Sequence, residues 1–440
     1  MSTTASGTEQ GLVRAIGVRG LTASIVNTTI GAGIFVLPAL VARDLGSAAP
    51  LAYLACGLAM TFVVASFAMA GSRVSLTGGI YAYVEVAFGP LIGFLAGFLV
   101  WLSNLLAAAS VASAFAASVA LAVPILGTPV LRSLCLALVF ATLAWINVRG
   151  VTIGTRLVEV ITAIKLLPLL LLTVVGLFWV KPEHLALEWA QPDRIGTASI
   201  TLIFAFVGIE IALVPSGEIR EPSRTVPRAV FLALGLTTLL YLLLQLVAQA
   251  VLGPALASFA DAPLAEVASR VLGPLGATLM LVGGSISMLG FLSGDALGTP
   301  RSLYAFARDG LLPAPLATLH PRFRTPWVAI IVHAVVVLAL ASIGSFGVLA
   351  LLSNVAVLSS YLLCCLAAIE LQRRNVQTGG RPFVLPGGPL VPAFACAVVV
   401  WLLSHASVQE FAVTAGAGLV AALLFAWRNM RRSVPLAENT

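Results

Sequence analysis

Long apolar runs separated by short polar turns fill this chain from residue 18 to residue 428. A helix that crosses a bilayer needs about 20 predominantly apolar residues. On that measure the pattern predicts twelve spans, over 18–42, 48–72, 90–123, 130–147, 153–180, 196–217, 227–252, 268–298, 326–343, 346–370, 389–407 and 410–428. The third and eighth runs are long enough to tilt or to extend past the bilayer. A polar stretch from Met1 to Gln10, then Arg14 and Arg19, precedes the first run. That run is too long for the apolar part of a signal peptide, so it is expected to remain as the first span. Arg73 to Phe88 reads as a partly amphipathic re-entrant or interfacial segment turning at Gly78-Gly79.

Two spans carry a break in the helical pattern at membrane depth. One is Thr28-Thr29-Ile30-Gly31-Ala32-Gly33-Ile34-Phe35 in the first span. The other is Phe204-Ala205-Phe206-Val207-Gly208-Ile209-Glu210 in the sixth, with Pro215 and Gly217 close behind. Glycine weakens a helix by about 1 kcal/mol relative to alanine, and two glycines spaced by one residue invite unwinding. Unwound backbone inside a bilayer persists only where it lines a cavity or is buried in protein. Interrupted spans at matching places in two halves point to the binding site of an inverted-repeat transporter. First and sixth positions imply a five-plus-five repeat with two further helices.

Composition agrees with lipid as the main solvent: 60% of the residues are hydrophobic and 9% charged, against roughly 25% charged in a soluble protein. The placement of charge sets the orientation, because cytoplasmic loops carry the excess of Lys and Arg. With both termini inside, 18 of the 24 basic residues fall on the cytoplasmic side and 5 on the other, leaving Lys165 within a span. No basic patch interleaved with aromatics offers a nucleic-acid surface. The five cysteines are scattered in apolar runs and form no CxxC, which reads as packing. Nothing in the pattern asks for a metal or another cofactor.

Several stretches resemble known motifs. Thr29-Ile30-Gly31-Ala32-Gly33-Ile34-Phe35 resembles the G-[SA]-G-[IV]-F signature of the amino acid–polyamine–organocation (APC) superfamily. Glu218 to Pro227 resembles the loop that follows its sixth helix, and Arg301 with Arg308-Asp309-Gly310-Leu311-Leu312-Pro313 the loop after its eighth. Thr162 to Pro168 resembles a stretch of its fifth helix. The matches run from about residue 14 to about residue 370, in the family's order. The resemblance implies an all-α integral membrane protein of the LeuT-type fold, with substrate near the midplane. The expected organisation is a cytoplasmic tail over 1–17, a first five-helix repeat over 18–180, an inverted second repeat over 181–370, two added helices over 371–428, and a cytoplasmic tail over 429–440.

The break in the first span is expected to leave the amides of Gly31, Ala32 and Gly33 without intrahelical partners. They lie at the positive end of a half-helix, which suits a carboxylate. Carbonyls of Thr29, Phe204 and Val207 are the expected acceptors for an ammonium, and Ile30 completes this backbone receptor for an α-amino acid head. The family uses the same positions this way, and by resemblance Phe204 is also its aromatic gate.

Lys165 is the only lysine within a span, and an intramembrane charge is a functional candidate by default. By resemblance such a lysine stands where sodium-coupled relatives hold Na⁺. It is then either a coupling group that releases a proton or a permanently charged tie. Glu210 and Asp295 are expected to face the interior. Two acids near one pocket would favour a cationic side group or hold a proton between them. Trp101, Ser103 and Asn104 fall on a helix that lines the family's pocket, with Asn104 the expected contact. Arg156 and Glu159 are expected as an inner gate or a surface pair.

The expected function is sodium-independent secondary transport of amino acids, by proton symport or exchange, across a bacterial-type cytoplasmic membrane. The alternative is a permease or antiporter for a basic amino acid or a polyamine. A membrane enzyme would need clustered ligands on facing helices, yet His184, His320, His333 and His405 lie in different loops or spans. No P-loop is present for ATP-driven pumping. The expected partners are a small amino acid or amine, the lipid bilayer and protons; oligomeric state stays open.

Overall fold

The computed structural model describes residues 16–74, 78–149, 151–185, 192–213, 219–377 and 382–433, with the side chains of 151–163, 192, 212 and 429–433 left outside that description. Arg14, Pro215, Gly217, Glu218 and the side chains of Arg156 and Glu159 therefore lie outside the described residues.

The described chain is almost wholly helical, because a bilayer interior has no water to satisfy exposed backbone groups. The first predicted span is two helices, α1 (Val18–Thr29) and α2 (Gly33–Leu45), followed by α3 (Ala49–Gly71). A short helix, α4 (Ile80–Phe88), takes the place of the expected re-entrant segment and packs on the next span, α5 (Pro90–Ala122). Then come α6 (Pro129–Arg149) and α7 (Val151–Gly176). The sixth span is again divided, into α8 (Pro192–Phe206) and α9 (Ile209–Ala212). After it run α10 (Pro222–Leu252), α11 (Pro263–Leu272), α12 (Pro274–Gly298) and α13 (Pro300–Arg308). The chain closes with α14 (Trp327–Ile343), α15 (Phe346–Arg373), α16 (Leu390–Leu403) and α17 (Val408–Ser433).

The predicted eighth run from residue 268 is corrected here. Pro274 restarts the chain as α12 after Gly273, and residues 263–272 form the separate helix α11. Seven helical stretches of the described chain are long and apolar enough to cross a membrane, and three shorter apolar helices accompany them. This is a multi-pass membrane protein.

The core is built by α5 along α15, α3 along α10, α12 along α7 and α1 along α10. Its centre is rich in alanine, glycine and serine, which let helix backbones approach closely. Gly283 is one such place: a Cβ there would lie 2.5 Å from Cγ of Pro168, so the glycine lets α12 close on α7 beside the break. By contrast α6 presents Leu134, Leu138 and Trp145, all exposed, on its outer face. That surface is apolar because its surroundings are lipid.

Candidate functional site

The two breaks meet. Gly208 adopts φ +113°, and a Cβ there would lie 2.6 Å from the carbonyl oxygen of Thr28. Only glycine combines that left-handed backbone with that approach. The Thr28 hydroxyl donates to the Gly208 carbonyl at 2.8 Å, stitching the first break to the second. Glu210 folds back so that its carboxylate accepts from the Gly208 amide at 3.1 and 3.2 Å. With its amide diverted, Gly208 no longer bonds the Phe204 carbonyl as a continuous helix would require. The Tyr361 hydroxyl of α15 donates to Glu210 at 2.5 Å, so a third helix holds this turn.

Lys165 reaches the first break from α7. Its ammonium donates to the carbonyls of Asn27 at 2.6 Å and Ile30 at 2.7 Å, and the residue is fully buried. The Ser287 hydroxyl of α12 adds bonds to the Ile30 and Gly31 carbonyls at 3.3 and 3.4 Å. The Tyr241 hydroxyl of α10 donates to the Thr29 carbonyl at 3.1 Å. The last carbonyls of α1, orphaned by the break, are thus taken up by three other helices. A cation or its hydrogen-bonding substitute belongs there, since carbonyl groups gather at the negative end of a half-helix.

Between the breaks lies a small cavity of about 10 Å³, room for no more than a water, lined by Thr29, Gly31, Ala32, Gly33, Ala107, Val111, Phe204, Val207 and Phe291. The sequence-predicted positions Thr29, Gly31, Ala32, Gly33, Phe204 and Val207 therefore come together on one wall system. Among the described residues, no backbone bond is made by the amides of Ala32 and Gly33. The Gly31 amide departs from expectation, because the turn lets it donate to the Thr29 carbonyl at 3.0 Å. The Thr29 carbonyl departs too, with both Gly31 and Tyr241 as donors. Phe204 is 7% exposed and packs edge-on against Phe346, ring centres 5.3 Å apart.

Other expected site residues lie elsewhere. Ile30 turns its carbonyl to Lys165 and is not on the cavity wall. Asn104 is one turn from the lining Ala107, buried, with Oδ1 unpartnered. Glu210 spends its carboxylate on Gly208 and Tyr361. Asp295 joins a separate pair: it accepts from Thr299 Oγ1 at 2.6 Å, and its other oxygen lies 2.7 Å from His333 Nε2 of α14. Ser103 ties α5 to α15 through Ser353 at 3.0 Å, which accounts for its burial. The sequence reading passed over Tyr241, Tyr361, Ser287 and Phe291, and took His333 only as an isolated histidine. A usable signal existed for the tyrosines, because a buried hydroxyl must find an acceptor. The rule that singled out Asp295 applies equally to His333.

A profile of the family described as amino acid permease matches residues 16–424 of this chain. The chain belongs to the amino acid permease family. This permease is 33% identical over 409 residues to an uncharacterized transporter of Mycobacterium tuberculosis (strain ATCC 25618 / H37Rv), covering 90% of this chain and 88% of that one. It is 25% identical over 447 residues to the branched-chain amino acid permease BcaP of Bacillus subtilis (strain 168), covering 96% of this chain and 95% of BcaP. It is 26% identical over 414 residues to the serine/threonine exchanger SteT of the same strain, covering 91% of this chain and 93% of SteT. The permease is thus a transporter of the APC superfamily and not an enzyme.

Proposed function

We propose that this permease carries small neutral α-amino acids, without sodium, across a bacterial-type cytoplasmic membrane in which both termini face the cytoplasm. The observation that carries this reading is the cavity between the two breaks. It offers the unbonded Ala32 and Gly33 amides at the start of α2 on one side and the released Phe204 carbonyl on the other. A carboxylate is favoured at a helix N-terminus and an ammonium at a free carbonyl. The side-chain walls are apolar: Ala107, Val111, Val207, Phe204 and Phe291. Glu210 and Asp295 are engaged away from those walls, which favours a neutral over a cationic side chain. Names of relatives point the same way, with branched-chain and serine/threonine carriers among them.

Sodium independence rests on Lys165, whose ammonium supplies a positive charge to the carbonyls of the first break. The same lysine is the candidate coupling group. If its proton leaves during the cycle, the ammonium's hold on Asn27 and Ile30 weakens and α7 is released from α1, linking proton movement to opening. The orientation rests on the distribution of the basic residues. The test is uptake by proteoliposomes across a panel of neutral and basic amino acids, their amides and their decarboxylated amines, with and without a pH gradient. Neutral amino acids should enter and the amides and amines should not compete. Equal competition by amines would overturn the head-group receptor and favour a polyamine substrate.

A further inference from the structure

Of two cavities among the described residues, the roomier is not the one at the breaks. It is a groove of about 530 Å³ between α6 and α14, lined by apolar side chains such as Phe140, Ile331 and Leu338 and, at one end, by Arg149 and Phe323. Its size falls within the range of ligand sites, about 300–1,000 Å³. Its rim is open to the surroundings, with Trp145 56% and Val335 59% exposed. An apolar groove on the outer face of a membrane protein meets acyl chains.

The end of the groove is basic and structurally built. The Arg149 guanidinium stacks over the Trp145 ring at 4.1 Å, and the Arg322 guanidinium lies over the Phe323 ring at 5.4 Å. Each guanidinium thus lies over an aromatic face, a cation–π arrangement. Among the described residues, no carboxylate pairs with either arginine. The loop that carries Arg322 and Phe323 is pinned to α6: the Thr325 hydroxyl donates to the Val148 carbonyl at 2.7 Å. The His320 ring nitrogen accepts from the Arg322 and Phe323 amides at 3.2 and 3.3 Å. Two arginines and a tryptophan thus stand at one end of an apolar slot between two helices.

We propose that this groove binds one anionic glycerophospholipid, its acyl chain along α6 and α14 and its phosphate between Arg149 and Arg322. Charge complementarity selects the anionic lipid over the bulk zwitterion, since basic pockets between spanning helices recognise such headgroups. The site is separate from the cavity at the breaks, so the proposal stands whichever substrate is carried.

The test uses the purified full chain reconstituted in phosphatidylcholine vesicles with brominated phosphatidylglycerol, and the reverse pairing. Bromine quenches a nearby indole, and the part of the quenching absent from Trp145→Phe reports the groove. Each arginine near an anionic surface accounts for about a 5-fold change in affinity. Wild-type protein should therefore prefer phosphatidylglycerol by on the order of 25-fold, and Arg149→Ala/Arg322→Ala should bring the ratio close to one. Ala334→Phe, which fills the groove without touching charge, should also remove the preference. Equal quenching by the two lipids in wild-type protein would mean annular contact only and would overturn the site. So would a preference that survives loss of both arginines, or displacement by inorganic phosphate alone.

Discussion

Two buried polar clusters of this permease are built on opposite plans. At the helix breaks, Lys165, Ser287, Tyr241, Thr28, Glu210 and Tyr361 come from six separate helical segments and meet on a few backbone atoms. Asp295, Thr299 and His333 instead join the end of α12 to α14 only, and His333 Nδ1 is left without a partner. Under the proposed function, the first cluster binds together elements that separate and rejoin in the transport cycle. The second fastens two helices. A buried polar network is worth most when each member is satisfied; the six side chains named at the breaks all have partners, whereas Asn27 Oδ1 and Thr29 Oγ1 beside them, like His333 Nδ1, do not. In the proposed mechanism, position in a network, and not charge within the membrane, separates a group that acts on substrate passage from one that holds the scaffold.

The sharpest way to break this contrast is Lys165→Ala. It removes two hydrogen bonds from a charged donor, each worth about 1.5–3 kcal/mol, and uncovers the carbonyls of Asn27 and Ile30. Net uptake in proteoliposomes should fall by on the order of 100-fold or more, while some substrate binding remains by scintillation proximity. Normal uptake with an unchanged pH profile would show that Lys165 neither couples nor ties. Next in size is Phe204→Ala, which opens the cavity wall. Uptake should drop roughly 10-fold, equivalent to about 1.4 kcal/mol, in protein that still folds, with a lower thermal unfolding midpoint because a buried ring packed on Phe346 is lost. Wild-type rates there would mean that the second break does not gate the cavity.

Tyr361→Phe separates positioning from binding. It deletes the hydroxyl that holds Glu210, costing about 1–3 kcal/mol for the carboxylate left short of a donor. Uptake should slow several-fold, and a second change, Glu210→Gln, should add little to it because both act on the Gly208 turn. Fully additive effects in that double-mutant cycle would dissolve the network. For the other cluster, Asp295→Asn should lower stability by about 1–3 kcal/mol and leave the affinity for a neutral amino acid as it is. A change in substrate selectivity would return Asp295 to the binding site. The smallest expected effect is sodium: uptake in sodium and in choline buffer should coincide, and a several-fold stimulation would displace Lys165 from its assigned place.

Much of the architecture was legible because a bilayer leaves the chain few options. The apolar runs from 90, 130, 346 and 389 begin within a residue of α5, α6, α15 and α16. Where the prediction slipped, at 268–298, the turn signal was in the sequence: Arg270 and then Gly273-Pro274 interrupt the run, and a Gly-Pro pair marks a corner. The breaks were legible from Gly31, Gly33 and Gly208, since glycine placed against the demands of a helix carries local information. The partners of those breaks were not. Tyr241, Tyr361 and Ser287 are ordinary residues in their own helices, and nothing within a few positions says which oxygen they face.

The sequence by itself determined that this is a multi-span helical protein, interrupted in its first and sixth spans, with one lysine in the membrane. These are local properties, set by hydropathy, glycine and charge along a few turns of helix. Tertiary structure alone decided that Lys165 ends on Asn27 and Ile30, that Glu210 caps Gly208, and that Asp295 turns to His333. Those pairings join residues 38 to 138 positions apart, apart from the Glu210 turn. They depend on how close packing at small residues, such as Gly283 on Pro168, rotates and slides one helix against another. A helix pattern states which face is apolar, but the depth and register at which two helices meet follow from the packing of all the others.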